Sequence, residues 1–177
     1  LQHDMVVCSD TYALQVLGMT EADRTVSAAK LFFAYGLGNN MSFPLRVGGQ
    51  GVLYPHRPTP DAMFELIQRH RPTLVFGVPT LYAAMLQVKE AEKRYDLSSL
   101  RFVTCGGSAV PRSLMERFQE RHGVRIVQAW GMTETSPIAA IALPPKGSAP
   151  AEEMDWRAKT GRVIAGVELR IVDDAGN

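Results

Sequence analysis

Cysteine is scarce in this chain of 177 residues, which has only Cys8 and Cys105. They stand far apart and without metal-ligand spacing, so a disulfide framework is excluded and both read as reduced core thiols. The four histidines offer no metal framework either. His3, His56, His70 and His122 are scattered with no metal spacing and read as surface or loop residues. An excess of one charge is also missing: 19 basic and 18 acidic residues leave a net charge of +1. That balance gives no electrostatic reason to expect nucleic acid or an anionic membrane as partner. No apolar run approaches the ~20 residues that span a bilayer, and no signal-like segment opens the chain. The expectation from these absences is a soluble, cytoplasmic protein.

What is present is ordinary for a globular domain: 46% hydrophobic and 21% charged residues. A chain of this length buries roughly 70% of its unfolded surface. The chain starts at Leu1 and stops in the turn-like Asp173–Asp174–Ala175–Gly176–Asn177, so it is expected to be an internal piece of a longer protein.

Apolar blocks and Gly/Pro punctuation divide the sequence into alternating elements. A helix is predicted over 4–18, with Asp4 as N-cap and Gly18 at its end. A short strand follows over 23–28. The Gly/Asn-rich AYGLGNN then leads into an apolar helix ending near Gly48, and a strand over 51–54 comes next. Asp61 to His70 has helical spacing, while Thr73 to Val78 is a compact apolar run suited to a buried parallel strand. Pro79 sits where a helix begins, predicted to run to Ala91. A charge run over 89–96 reads as a solvated helix end and loop. Further strands are predicted over 101–105 and 124–129, with a helix from Pro111 to Gly123 between them and a loop over 143–151. Val167 to Val172 alternates with period two, as an antiparallel or edge strand would.

Strands alternating with helices predict an α/β fold around a mostly parallel sheet flanked by helices. Ligands in such sheets sit beyond the carboxyl ends of strands. The chemistry is therefore expected after strands, at Gly77–Pro79, Gly106–Ser108 and Trp130–Glu134.

Two of these loops carry recognisable chemistry. In CGGSAVP (Cys105 to Pro111), two glycines after a strand let the backbone approach a flat ligand or phosphate. The same residues also suit a plain strand-to-helix turn. Ser108 lacks the G-x-S-x-G frame of a nucleophile elbow. In AWGMTETSP (Ala129 to Pro137), Trp130 offers a π face, Gly131 removes bulk, Thr133 offers a hydroxyl and Glu134 a hard oxygen ligand. A capped turn with an exposed Glu remains the plainer reading.

Together, WGMTETSP and CGGSAVP resemble the motifs of the adenylate-forming superfamily, which includes acyl-CoA synthetases, non-ribosomal adenylation domains and luciferases. KTGRVIAGVELRIVDDAG (Lys159 to Gly176) is similar to the segment preceding that family's ribose-binding aspartate. AKLFFAYGLGNNMSFPL and RPTLVFGVPTLYAAML resemble benzoate-type aromatic acid CoA ligases, whereas GGSAVPRSLMERF and AKTGRV look more like medium- and long-chain fatty acyl-CoA synthetases.

The resemblance implies ATP, Mg²⁺ and coenzyme A as cofactors and a small-molecule carboxylic acid as substrate. It implies that Trp130 flanks the adenine, that Gly106, Gly107 and Ser108 line the adenine and acyl site, and that Gly131 walls the acyl pocket. Thr133 would hold the α-phosphate and Glu134 would coordinate Mg²⁺. Ala34, Tyr35, Gly36 and Val78 would border the acyl group. The family's phosphate loop would lie upstream of Leu1, and its ribose aspartate, lid domain and lysine beyond Asn177. Two other readings stay open: an adenylation domain that loads a carrier protein, and a non-catalytic piece of a nucleotide-binding scaffold.

Overall fold

The computed structural model describes residues 2–143 and 159–176. Its centre is a sheet of seven strands in the order β2-β1-β3-β4-β5-β6-β7. The strands are β1 (Arg24–Ser27), β2 (Gln50–Val52), β3 (Leu74–Gly77), β4 (Phe102–Cys105), β5 (Ile126–Trp130), β6 (Ala140–Ile141) and β7 (Arg162–Val163). The first five run parallel, and β6 and β7 add on antiparallel. The expected mostly parallel α/β sheet is thus observed.

Period-two alternation places the strand side chains in two cores. Val75, Val103 and Ile126 face α4 (Pro60–His70), α5 (Pro79–Met85) and α7 (Arg112–His122), where Phe64, Tyr82 and Phe118 are fully buried. Leu74, Phe76 and Val127 face the other way, against Tyr12, Leu17 and Phe43 from the amino-terminal third. Each fully buried side chain of this kind contributes about 1.5–3 kcal/mol. The start of α4 is fixed locally: the Thr59 hydroxyl accepts from the Ala62 N–H at 3.3 Å, and Pro60 holds the first helical position.

Several sequence expectations are corrected. The first helix, α1 (Gln2–Cys8), begins before Asp4, so Asp4 lies inside it and is not its N-cap. Ser9–Val16 continues it in wider π-helical turns. The Ser9 and Thr11 hydroxyls donate to the carbonyls of Met5 and Val7 four residues back, which loosens the regular ladder there. The Gly/Asn stretch does not merely lead into a helix but is itself helical. Helix α2 (Ala34–Leu37) enters it, π-helical turns cover Gly38–Ser42, and α3 (Phe43–Val47) completes the run. Asn40 is buried there, with its Oδ1 accepting from the Thr25 hydroxyl at 2.9 Å and its Nδ2 donating to Val52 O at 2.7 Å. That amide ties β1 to β2.

The helix after Pro79 stops at Met85. A short α6 (Ala91–Arg94) carries part of the charge run. Val167 to Val172 forms no strand despite its alternation, because no neighbouring segment pairs with it among the described residues; Ile171 is 91% exposed. Most of the 143–151 loop lies outside the described residues. Both cysteines are free and buried, as expected. His122 departs from its expected surface place: its ring lies 5.5 Å from Phe64 and 4.8 Å from Phe118, with both ring nitrogens out of solvent.

Candidate active site

Because β1 to β5 are parallel, the loops after them converge at one edge of the sheet. A cavity of about 800 Å³ opens at that edge. Its wall includes Ala34, Tyr35, Val78, Gly106, Gly107, Gly131 and Thr133, which the sequence had singled out from four separate stretches. Gly36, Ser108, Trp130 and Glu134 were singled out too but do not form its wall. Ser108 and Glu134 are exposed, and Gly36 is buried behind. Trp130 is the last residue of β5 and 39% exposed; strand alternation turns it away from the face that Ala129 presents to the cavity.

The glycines here answer to close packing. A Cβ on Gly131 would lie 2.0 Å from Pro137 O, and one on Gly36 would lie 2.1 Å from Lys30 O. Either contact with backbone would force the loop apart. Gly107 has φ +90°, which side chains rarely adopt, and it turns the chain out of β4. Gly106 donates its N–H to Gly77 O at 3.1 Å, so the ends of β3 and β4 stay joined up to the cavity.

Tyr35 forms the cavity's aromatic side. Its hydroxyl shares a hydrogen bond of 3.1 Å with Thr104 Oγ1, and its ring meets Phe76 edge-on at 6.4 Å. Burial holds the Tyr35 phenol well above its ordinary range, although the Thr104 hydroxyl opposes this. Burial likewise pushes the Cys105 thiol up to about 12, so the cysteine beside the double glycine is a packed thiol with no nucleophilic character near neutral pH.

After Gly131 the chain makes a tight 3₁₀ turn, Thr133–Thr135. The Thr135 hydroxyl closes it, accepting from the Met132 N–H and donating to Met132 O, both at 2.9 Å. The Thr133 and Glu134 side chains take no part in that closure. Glu134 has no side-chain partner among the described residues, and no group of three or more metal-binding side chains occurs among them. Mg²⁺ commonly takes one or two carboxylates and completes its shell with phosphates and water. A lone carboxylate next to a cavity-lining hydroxyl fits that pattern, with Glu134 as a single protein ligand.

Two cationic residues on the wall, Lys30 and Arg57, escaped the sequence reading. Both follow strands (β1 and β2), so the strand-end rule applied to every strand would have found them. Lys30 Nζ donates to the carbonyls of Tyr54, at 2.7 Å, and His56. Arg57 comes directly after that pinned segment.

The sequence of the chain matches the family described as AMP-binding enzyme over residues 1–177. The chain belongs to this family. It is 41% identical over 176 residues to a benzoate–CoA ligase of Thauera aromatica, covering 99% of this chain and 32% of that protein. Among solved structures it is similar to a benzoate CoA ligase from Burkholderia xenovorans LB400, with 38% identity, a TM-score of 0.86, and coverage of 99% of this chain and 34% of that one. An anthranilate CoA ligase, AuaEII, solved with anthranoyl-AMP, gives 35% identity and a TM-score of 0.87, covering 98% of this chain and 32% of that one. The chain thus spans about a third of the length of the relatives it matches. The likeness to an aromatic acid ligase runs along nearly the whole chain and is not confined to the first half.

Proposed function

We propose that this chain supplies the acid and nucleotide pocket of an AMP-forming ligase that joins a carboxylic acid, most suitably an aromatic one, to coenzyme A. The observation that carries the reading is the convergence of Tyr35, the Gly106–Gly107 turn and the Gly131–Thr133 loop on one cavity. It occurs in a chain 41% identical to a benzoate–CoA ligase. A mainly apolar cavity with an aromatic wall suits a planar acyl group better than a charged one.

In the first half-reaction an oxygen of the acid's carboxylate attacks the α-phosphorus of ATP. The bond from that phosphorus to the bridging oxygen breaks, giving acyl-AMP and pyrophosphate. In the second, the thiolate of coenzyme A attacks the acyl carbon and AMP leaves with the electron pair of the broken C–O bond. Ala34, Tyr35 and Val78 would hold the acyl group, with Gly36 shaping the turn behind them. Gly106, Gly107 and Ser108 would lie along the nucleotide, with Trp130 flanking the adenine from the strand end. The Thr133 hydroxyl would donate to an α-phosphate oxygen as negative charge gathers there. Mg²⁺, when held by Glu134, supplies electrostatic stabilisation of that charge.

The test is acid-dependent exchange of pyrophosphate into ATP by the full-length parent. Benzoate should drive the exchange better than a medium-chain fatty acid. Glu134→Gln should lower the rate by about 100-fold or more, since losing the metal carboxylate removes several kcal/mol from the transition state, while melting stays unchanged because the side chain has no partner to lose among the described residues. Near wild-type exchange in that variant would refute the role of Glu134. Absence of any acid-dependent exchange in the parent would refute the reaction.

A further inference from the structure

The cavity wall is uneven in charge. Of its described lining residues, Lys30 and Arg57 are cationic and none is a carboxylate. The Lys30 ammonium is occupied: besides its two carbonyl acceptors it sits 5.5 Å from the centre of the Tyr54 ring. The Arg57 guanidinium has no hydrogen-bond or ion-pair partner among the described residues. Among the described lining residues, Arg57 is therefore the one cation whose side chain has no hydrogen-bond or ion-pair partner.

Its backbone is not free. Lys30 fastens the segment 54–56 on one side. On the other, the Thr59 N–H donates to Arg57 O at 2.9 Å, and the Thr59 hydroxyl caps α4. Pro55, Pro58 and Pro60 fix further backbone angles around it. A half-buried lysine, three prolines and a helix cap thus hold the backbone on both sides of one exposed arginine. The start of α4 does not do this work itself. Pro60 has no N–H, the Ala62 and Met63 N–H groups are taken by Thr59, and the first turn carries Asp61. Arg57 also stands after β2, an edge strand, whereas Thr133 stands after β5, so the two mark opposite flanks of the cavity.

We infer that Arg57 is an anion-binding residue at the flank of the cavity away from Thr133, taking a compact oxyanion of one of the two substrates. The chemistry it recognises is shared by the carboxylate of the entering acid and by a phosphate of the thiol donor. A guanidinium meets either one with paired N–H donors. The choice of these two anions rests on the function proposed above.

Titration calorimetry of the full-length parent with benzoate and, separately, with coenzyme A tests the inference. Arg57→Ala should weaken one of the two by about 10–100-fold, and Arg57→Lys should recover part of the loss. Weakened benzoate binding assigns the carboxylate, and weakened coenzyme A binding assigns the phosphate. In turnover the matching KM should rise with little change in kcat. Equal binding of both anions by parent and Arg57→Ala, or binding of neither by the parent, overturns the inference. A parent that binds one of these anions through Arg57 yet shows no pyrophosphate exchange keeps the anion site and refutes only the proposed reaction.

Discussion

The two ends of the parallel sheet are built by opposite rules. At the amino ends of β1, β3 and β4 the polar groups are closely bound to one another. Asp23, 4% exposed, accepts from Arg101 at 3.0 and 3.1 Å, from the Thr73 hydroxyl at 2.5 Å and from the Thr20 N–H at 2.8 Å. Arg101 in turn donates to Leu17 O at 2.7 Å. One carboxylate thus clamps the strand starts and the end of the first helical segment. At the carboxyl ends the groups with chemistry (Arg57, Thr133, Glu134) make no hydrogen bond or ion pair with one another, nor with any other side chain among the described residues, and glycine takes the positions where a side chain would clash. A buried charge must be paired where it serves the fold, whereas a site for an outside ligand must leave its donors and acceptors open. The difference is that of a finished bond network against one that a substrate completes.

This contrast yields a division of effects. Asp23→Ala should have the largest effect on stability, about 2–3 kcal/mol, because it removes the one buried carboxylate on which Thr73, Thr20 and Arg101 converge. Thermal melting of the full-length parent should fall by about 2–3 °C, with KM for the acid unchanged at temperatures where the variant is folded. An unchanged melting point, or a specific rise in KM, would erase the distinction between the two ends. The Asp23 contribution also has a pH signature. Burial by itself would raise this carboxyl, but Thr73, Thr20 and Arg101 outweigh it and hold it below its ordinary 3.8. The stabilisation is therefore present above that value and lost as pH falls through the lower, folded one.

A smaller effect should come from His122, just before β5 on the same side of the sheet. Burial among aromatic rings, aided by the Arg121 charge and opposed by Glu92, holds the imidazole below its ordinary 6.5. The unfolded chain binds the proton first, so stability should decline as pH falls below 6.5 toward the folded value, by at most about 1.4 kcal/mol per pH unit. His122→Leu should flatten this part of a melting-against-pH curve. An unaltered slope would show that the ring titrates freely.

The alternation of strand and helix was legible because apolar blocks and Gly/Pro breaks coincide with the element ends in most places. The glycines at 106, 107 and 131 were legible because a strand that ends in glycine announces a close approach. The Asp23 clamp was not, since Asp23, Thr73 and Arg101 are far apart in sequence and each looks like an ordinary surface residue. Lys30 and Arg57 were missed for the same reason: a lysine or arginine in a loop is usually solvated, and only the folded loops bring these two to one cavity. The π-helical turns were hidden because hydroxyls bonding four residues back compete with a regular helix without changing its apolar pattern. At Val167 to Val172 the alternation was real, but a strand needs a partner as well as a pattern.

The most direct measurement is a crystal structure of the full-length parent with a non-hydrolysable benzoyl-adenylate analogue. The account predicts the acyl ring against Ala34, Tyr35 and Val78, the nucleotide along Gly106 and Gly107, and the phosphate mimic within hydrogen-bond reach of the Thr133 hydroxyl. An analogue bound away from the Gly106–Gly107 turn and the Thr133 loop would contradict it.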